Sequence, residues 1–204
     1  MHTLLRHALL LTLAAGMARA DIVFDTLDQL VATDPIQLGR LSRNGIQQDW
    51  GGSEPFPGII NPAVSYHYTT YKVKVGVTPF IQVDFDSNSL LTFVSAYENS
   101  YSPDSAGPPN HGFDVNWLGD AGSSGNFFGV DPLFFNVIAP ANSDLIVVVN
   151  ETTPSSGLLQ PYHLTVEGYL DSNFTSTPEP SLLVLCIGAM VVMFTTRTWK
   201  RSRQ

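Results

Sequence analysis

The chain has 204 residues, which is room for one domain together with targeting segments. Residues 21–177 hold only four of the ten Lys and Arg residues but 17 of the 18 Asp and Glu residues, a net charge of −13. So acidic a surface repels phosphate groups, which argues against nucleic acid as a partner. The single cysteine, Cys186, lies in an apolar segment, so neither a disulfide within the chain nor thiol catalysis in residues 21–177 is expected.

Residues 1–20 have the three parts of a secretory signal peptide. A short apolar core follows Arg6, and Ala18 and Ala20 are the small residues that signal peptidase reads. The core is shorter than the about 20 apolar residues that a membrane-spanning helix needs. The pattern predicts export, cleavage by signal peptidase, and Asp21 as the first residue of the mature protein.

From residue 21 to 172 the chain reads as short β-strands separated by Gly, Pro, Asn and Ser. Residues 66–75 alternate most clearly, with Val73 and Val75 on one face and the lysines on the other, which is typical of a half-buried strand. Residues 21–31 are predicted to be a strand or a helical turn, residues 44–63 a long loop, and residues 140–143 the turn of a hairpin. The other predicted strands are 35–41, 80–85, 90–97, 113–118, 133–138, 144–149 and 162–169.

Some seven to nine short strands without a convincing helix predict an all-β fold, a β-sandwich or a jelly roll, for residues 21–172. The segments 80–85, 93–97, 145–149 and 162–169 also resemble the β-sandwich of exported bacterial proteins related to pre-peptidase C-terminal domains, and the resemblance covers about residues 64–170. It implies a non-catalytic accessory or surface module, which in that family sometimes binds calcium.

No common catalytic motif is present: we find no His-Glu-x-x-His, no Gly-x-Ser-x-Gly, no phosphate loop and no dinucleotide-binding glycine pattern. Beyond the signal peptide, His67, His111 and His163 are widely spaced along the chain. No nucleophile, base and orienting group can be nominated together. We therefore expect a protein that is not an enzyme, and a hydrolase is the less favoured alternative.

The one cluster that resembles a metal site is Asp84, Asp86 and Asn88. In a strand the two aspartates share a face at the strand end, and alternating Asp, Asp and Asn can present oxygen ligands to calcium. Serines stand where an EF-hand needs its glycine and its bidentate glutamate, so an EF-hand is excluded. The alternatives are a calcium site, to which Asp120 and Asn126 would contribute, and a solvated turn with Asx hydrogen bonds. No other cofactor is predicted.

Aromatic residues in or beside the polar loops form a second candidate binding feature. Exposed aromatic rings at the edge of a sandwich can stack on the apolar faces of sugar rings. The alternative is that these rings cap the core. The residues are Tyr97, Tyr101, Trp117, Phe127 and Phe128.

Residues 178–204 have the order of a membrane anchor. Pro178 and Pro180 hold Glu179 in an extended conformation, because a residue that precedes proline avoids the helical region. The apolar residues 181–196 would form a helix of roughly 24 Å, which with interfacial side chains spans the bilayer. A cluster of positive charges follows and is typical of a cytoplasmic end. Its residues are Arg197, Lys200, Arg201 and Arg203.

Pro178-Glu179-Pro180, an apolar helix and a basic end resemble the PEP-CTERM sorting signal. Proteins of that family are exported bacterial proteins that a membrane protease-transpeptidase, exosortase, processes, and they are often linked to extracellular polysaccharide or biofilm. The resemblance implies that the triplet is the recognition motif. It also implies an inner-membrane intermediate that is later passed to the cell surface or matrix. The polar residues 173–177 are predicted to be a tether between the domain and the anchor.

Overall fold

The described part of the chain is all-β, as the sequence predicts for residues 21–172. In a computed structural model, the described residues contain nine strands, all within residues 1–172, the first of the two units into which the chain divides. The strands are β1 (Asp21–Gln29), β2 (Ile36–Leu41), β3 (Ile59–Lys74), β4 (Phe80–Asp86), β5 (Thr92–Glu98), β6 (Trp117–Asp120), β7 (Leu133–Ile138), β8 (Asp144–Glu151) and β9 (Pro161–Tyr169). The structure describes residues 21–52, 54–104, 107, 109–125 and 133–170.

The strands form two antiparallel sheets. The first sheet has the order β1-β9-β4-β7, and the second has the order β2-β3-β8-β5-β6. Neighbours in each sheet are far apart in sequence except for β2 with β3 and β5 with β6. The chain therefore crosses repeatedly between the sheets, as in β-sandwich-like folds.

One apolar core joins the two sheets. It is built from alternate residues of the strands, such as Val83, Phe85 and Phe135 in the first sheet and Val94 and Val147 in the second, all of them fully buried. Each such side chain contributes roughly 1.5–3 kcal/mol when it leaves water. The core thus follows directly from the period of two in the sequence.

The alternation predicted in residues 66–75 is confirmed. Val73 and Val75 belong to the core, whereas Lys72 and Lys74 are exposed and pair with Asp144 at 2.8 and 3.3 Å. Residues 21–29 form a strand and not a helical turn.

Two expectations about the connections are wrong. Residues 140–143 do not close a hairpin, because β7 lies in the first sheet and β8 in the second. The inward rows of both strands are apolar, and they face each other across the core instead of lying side by side. The predicted loop 44–63 is also shorter than expected, because β3 already begins at Ile59, where it pairs with Leu41 of β2.

The outer face of the second sheet carries a further apolar layer. Tyr101 and Phe113, from the loop that joins β5 to β6, pack with Phe93, Tyr97 and Ile146. Strand β5 is consequently buried on both faces, and it carries apolar residues on each of them, Phe93 and Tyr97 on one and Val94 and Ala96 on the other.

Residues 45–48 close one side of the two-sheet body. The Gly45 and Gln48 amides donate to the carbonyls of Gly122 and Asp120, at 2.9 and 3.0 Å, at the end of β6. The Gln48 carbonyl accepts a 2.9 Å hydrogen bond from the amide of Asn136 in β7. Because β6 and β7 are the edge strands of the two sheets, this segment satisfies backbone groups that an open edge would expose.

Gly122→Ala tests this closure. Gly122 has a φ of +66°, and a Cβ there would lie 2.4 Å from the backbone of Ile46. We expect a loss of at least about 2 kcal/mol in the free energy of unfolding, since strained backbone and a steric clash add. Urea denaturation measures it. Gly76→Ala, where a Cβ meets nothing within 4 Å, is the matched control, and equal losses in the two variants would contradict the role of the segment.

Candidate functional site

Charge is divided unevenly between the sheets. The four strands of the first sheet contain no Lys or Arg, whereas Arg40, Lys72 and Lys74 all lie in strands of the second sheet. The acidic residues in the strands of the first sheet are Asp21, Asp25, Asp28, Asp84, Asp86 and Glu167.

The strand register arranges the outward side chains of the first sheet in rows, which together we call the acidic face. Directly opposite residues of antiparallel strands share a face, so each row crosses neighbouring strands. From His163 to Tyr169 the face is about 20 Å long, at about 3.4 Å per residue. The rows are Leu27, His163 and Asp86; Asp25, Thr165, Asp84 and Phe134; Glu167, Gln82 and Asn136; and Tyr169, Phe80 and Ile138.

A shallow cleft of about 530 Å³ lies at the first of these rows. It is lined by Asp86 and Asn88, from the end of β4 and the turn after it, and by Asp28 of β1. Exposed apolar surface is also present, chiefly from Leu27, which is 80% exposed. The remaining lining residues are Gln29, Pro161, Tyr162 and His163.

A chain of hydroxyls orients the cleft carboxylate of Asp28. The Tyr71 hydroxyl donates to Asp28 Oδ2 at 2.7 Å and lies 2.5 Å from the Tyr162 hydroxyl. Burial and these two neighbours raise the pKa of Tyr71 well above its usual range, so the phenol keeps its proton. Asp28 is thereby held by a neutral donor.

Asp84 is separated from the other two residues of the predicted calcium set. It lies in the second row and does not line the cleft, and the Gln82 amide donates to both of its oxygens at 2.9 and 3.2 Å. Burial, and next the charge of Glu167, raise the pKa of Asp84 to about 6, although the Gln82 hydrogen bond opposes this. Within the described part of the chain, no three His, Cys, Asp or Glu side chains are placed to hold a metal ion.

His163 belongs to the acidic face and pairs with β1. Its Nε2 lies 2.5 Å from Asp25 Oδ1, which also accepts a 3.2 Å hydrogen bond from the Thr165 hydroxyl. The hydrogen bond with His163 is the main cause that lowers the pKa of Asp25. The pair tethers the edge strand β1 to the face.

The other two histidines lie elsewhere. His67 of β3 pairs through Nδ1 with Glu151 Oε1 at 2.9 Å, and its backbone amide donates to the same oxygen at 2.9 Å. Glu151 is fully buried, and its Oε2 has no hydrogen-bond partner among the described residues. His111 pairs with Asp104 at 3.9 Å. Each of the three histidines thus has a different acidic partner, as in structural ion pairs.

Asp120, the predicted additional calcium ligand, is a buried turn residue. It is 3% exposed, and its Oδ1 accepts a 2.7 Å hydrogen bond from the Gly122 amide. Burial raises the pKa of Asp120 to about 7, although that backbone hydrogen bond opposes it. Asn126 lies outside the described residues.

The aromatic residues considered for sugar stacking pack into the protein. Tyr97 is fully buried, and the Tyr101 ring packs against it at a tilt, with centroids 4.6 Å apart. The Tyr101 hydroxyl donates to Gln37 Oε1. Trp117 packs edge-on against Phe56 at 5.6 Å. These rings cap the core, which was the alternative interpretation. Phe127 and Phe128 lie outside the described residues.

Sequence reasoning missed most of the acidic face, including Asp25, Asn136 and Glu167. A signal was available in the polar residues at every second position of β4 and β9, namely 82, 84 and 86, and 163, 165 and 167. What the sequence does not contain is the pairing that places these rows side by side.

No protein-family model, no curated protein and no solved structure matches this chain. None of the described residues forms a helix that is long and apolar enough to span a bilayer. Outside those residues lie the predicted signal cleavage site at Ala18 and Ala20, the triplet 178–180, the apolar segment 181–196 and the basic residues that follow it.

Stability should fall as pH rises from about 4 to 7, because the folded state raises the pKa of Asp120 and Asp84 above the usual aspartate value of 3.8. A folded state that binds a proton more tightly than the unfolded chain is favoured below the unfolded pKa. Its advantage is lost as pH rises through the folded pKa.

Asp120→Asn should flatten that dependence. The amide oxygen still accepts from Gly122 but no charge is buried, so we expect a gain on the order of 2 kcal/mol at pH 8 and little change at pH 4. Urea denaturation at both pH values measures it. Asp114→Asn removes the same charge from an exposed loop residue and serves as the control. A variant that is less stable than the wild type at pH 8 would show that the ionised carboxylate is the stabilising form.

Proposed function

We propose that this is an exported bacterial protein of the cell surface or extracellular matrix, sorted by an exosortase-like transpeptidase. The observation that carries the proposal is the order of Pro178-Glu179-Pro180, the apolar residues 181–196 and the basic cluster that ends at Arg203. In this proposal the protein is a substrate of the sorting enzyme, and the two-sheet unit is the delivered cargo.

Each part of the order has a physical role in the proposed route. The signal peptide directs the chain across the inner membrane and is removed by signal peptidase. The apolar segment then halts transfer, and the positive charges keep their end in the cytoplasm. An extended Pro-Glu-Pro triplet next to the bilayer is a conformation that an enzyme groove can bind at low entropic cost.

The composition of the two-sheet unit agrees with that destination. A net charge of −13 over residues 21–177 favours solubility and weakens any association with anionic lipid. The unit has no cysteine, so it folds without disulfide formation. Association with extracellular polysaccharide is the role that we propose for it after delivery.

Replacing Glu179 tests the sorting proposal. Glu179→Ala should leave the protein unprocessed in the membrane fraction, because the recognised carboxylate is lost. Cell fractionation and mass spectrometry of the mature C-terminus measure this. Asp171→Ala, which removes a nearby acid outside the triplet, should be processed normally. Release of the Glu179→Ala protein with the same C-terminus as the wild type would refute the proposal.

A second candidate function is that of a calcium- or carbohydrate-binding module. The observation that favours it is the cleft, which is lined by Asp86 and Asn88 and also by Asp28 from a distant part of the sequence. Carboxylate and amide oxygens are the ligands that calcium prefers, and extracellular modules commonly bind it with a Kd of about 10⁻⁴ to 10⁻³ M.

Calcium should therefore stabilise the wild type. At roughly ten times Kd the expected gain is about 1.4 kcal/mol, which raises Tm by about 3–5 °C. Asp86→Asn should lose most of that shift, and Asp114→Asn should keep it. Thermal denaturation with calcium and with magnesium distinguishes a site from general screening of charge. Equal shifts in all three proteins would exclude calcium binding in the cleft.

A further inference from the structure

The middle of the acidic face has more hydrogen-bond acceptors than donors. The Gln82 amide is used on Asp84, the Tyr169 hydroxyl donates to Glu167 Oε2 at 2.5 Å, and the Asn136 amide reaches Asp49 Oδ1 at 3.4 Å. The groups left over are carboxylate and amide oxygens. A ligand that fits this surface must bring its own donors.

Asn136 shows this need most directly. The residue is 8% exposed, and its Oδ1 has no hydrogen-bond partner within the described part of the chain. It stands in the row of Gln82 and Glu167. A buried acceptor without a donor costs about 1–3 kcal/mol, so an incoming donor would gain by satisfying it.

Trp50 places an aromatic ring beside this row. Its indole N–H is shared between the carbonyls of Ile81 and Val137, at 3.2 and 3.1 Å. The ring stands edge-on to Phe80 and Tyr169, with centroids 5.8 and 5.3 Å away, and is part-exposed. Because these contacts fix the ring before any ligand arrives, stacking on it costs little conformational entropy.

The charge of the face selects the ligand further. Four of the six carboxylates of these strands lie in the rows of the face, namely Asp25, Asp84, Asp86 and Glu167, and the strands contain neither Lys nor Arg. Asp84 lies close enough to Glu167 to be affected by its charge. Anionic saccharides are repelled by this field, whereas an ammonium group relieves the repulsion between the carboxylates. Ammonium groups also interact favourably with the face of a Trp ring.

The length of the face favours a chain over a single sugar. The cleft at the His163 row and the Trp50 ring at the Tyr169 row lie about 20 Å apart along the strands. Leu27 and Pro161 add apolar surface at the cleft end. Contacts at both ends require a ligand that spans several rings.

We propose that the acidic face binds a saccharide chain that carries free ammonium groups, with Trp50 stacking on a ring and Asp25, Asp84 and Glu167 pairing with the charges. The proposal rests on the second candidate function, that of a binding module, and it is independent of sorting. In this proposal Trp50 takes the stacking role that the sequence suggested for Tyr97, Tyr101 and Trp117.

The test uses the whole purified chain and glucosamine oligomers of increasing length, with Kd measured by isothermal titration calorimetry. We expect Kd to fall with oligomer length and to rise with salt. N-acetylated oligomers of equal length should bind at least about tenfold more weakly, which corresponds to about 1.4 kcal/mol. They keep the rings and lose the charges.

Variants then separate the contributions. Trp50→Ala and Glu167→Gln should each weaken binding by at least about tenfold, whereas Trp50→Phe, which keeps a ring, should lose less. Asp114→Asn changes the same net charge on the loop that covers the second sheet and should bind as the wild type does. Thermal denaturation confirms that each variant is folded.

Three results would overturn the proposal. In the first, oligolysine of equal charge binds as tightly as the glucosamine oligomer, and Trp50→Ala does not change the Kd of either. The face would then be a general anionic surface. Binding of the acetylated oligomers as tight as that of the charged ones would refute the role of the ammonium groups but keep the binding module. Failure of calcium and of every oligomer to bind would refute the module itself.

Discussion

The period of two in β4 and β9 is the constraint on which the rest of the molecule depends. In β9, Leu164 and Val166 enter the core, so Thr165 and Glu167 must point outward. A slip of one residue would bury the polar row and expose the apolar one. The burial energy of the core thus holds the carboxylates of the acidic face in fixed positions, and their mutual repulsion is tolerated because the core requires that register.

The outer faces of the two sheets differ in what packs over them. On the second sheet, a long loop folds back and buries Tyr97 and Phe93 beneath Tyr101 and Phe113. On the first sheet, the outward side chains of β4 and β9 are mostly polar, and the Trp50 region packs over one end of the face. Gln82 and Asn136 in the middle of the face are buried. Aromatic residues near loops are therefore packed over the second sheet, whereas the Trp50 ring beside the first sheet is part-exposed. Their sequence neighbourhoods do not distinguish the two.

The local part of this architecture was predictable, and the long-range part was not. Alternation located most of the strands and identified the buried side of residues 66–75, because both properties depend on neighbouring residues. The predicted hairpin at 140–143 was wrong because a tight turn does not determine whether the next strand joins the same sheet. Asp25 and His163, 138 positions apart, meet only through the β1–β9 pairing, and no local pattern contains that information. The burial of Asp120 likewise depends on a distant segment, residues 45–48.

The position of β9 has a consequence for the order in which the chain can fold. β9 is the last strand of the described residues, yet it lies inside the first sheet, between β1 and β4, and it pairs with β1 from Asp21 to Gln29. A chain that emerges from its N-terminus presents β1 and β4 long before the strand that joins them. The first sheet therefore stays open until residue 169 has emerged, and the slow closure of such distant pairs delays the native state. Until β9 is available, β1 and β4 have no strand to join them, and the apolar inner faces of these two strands cannot be held in one sheet.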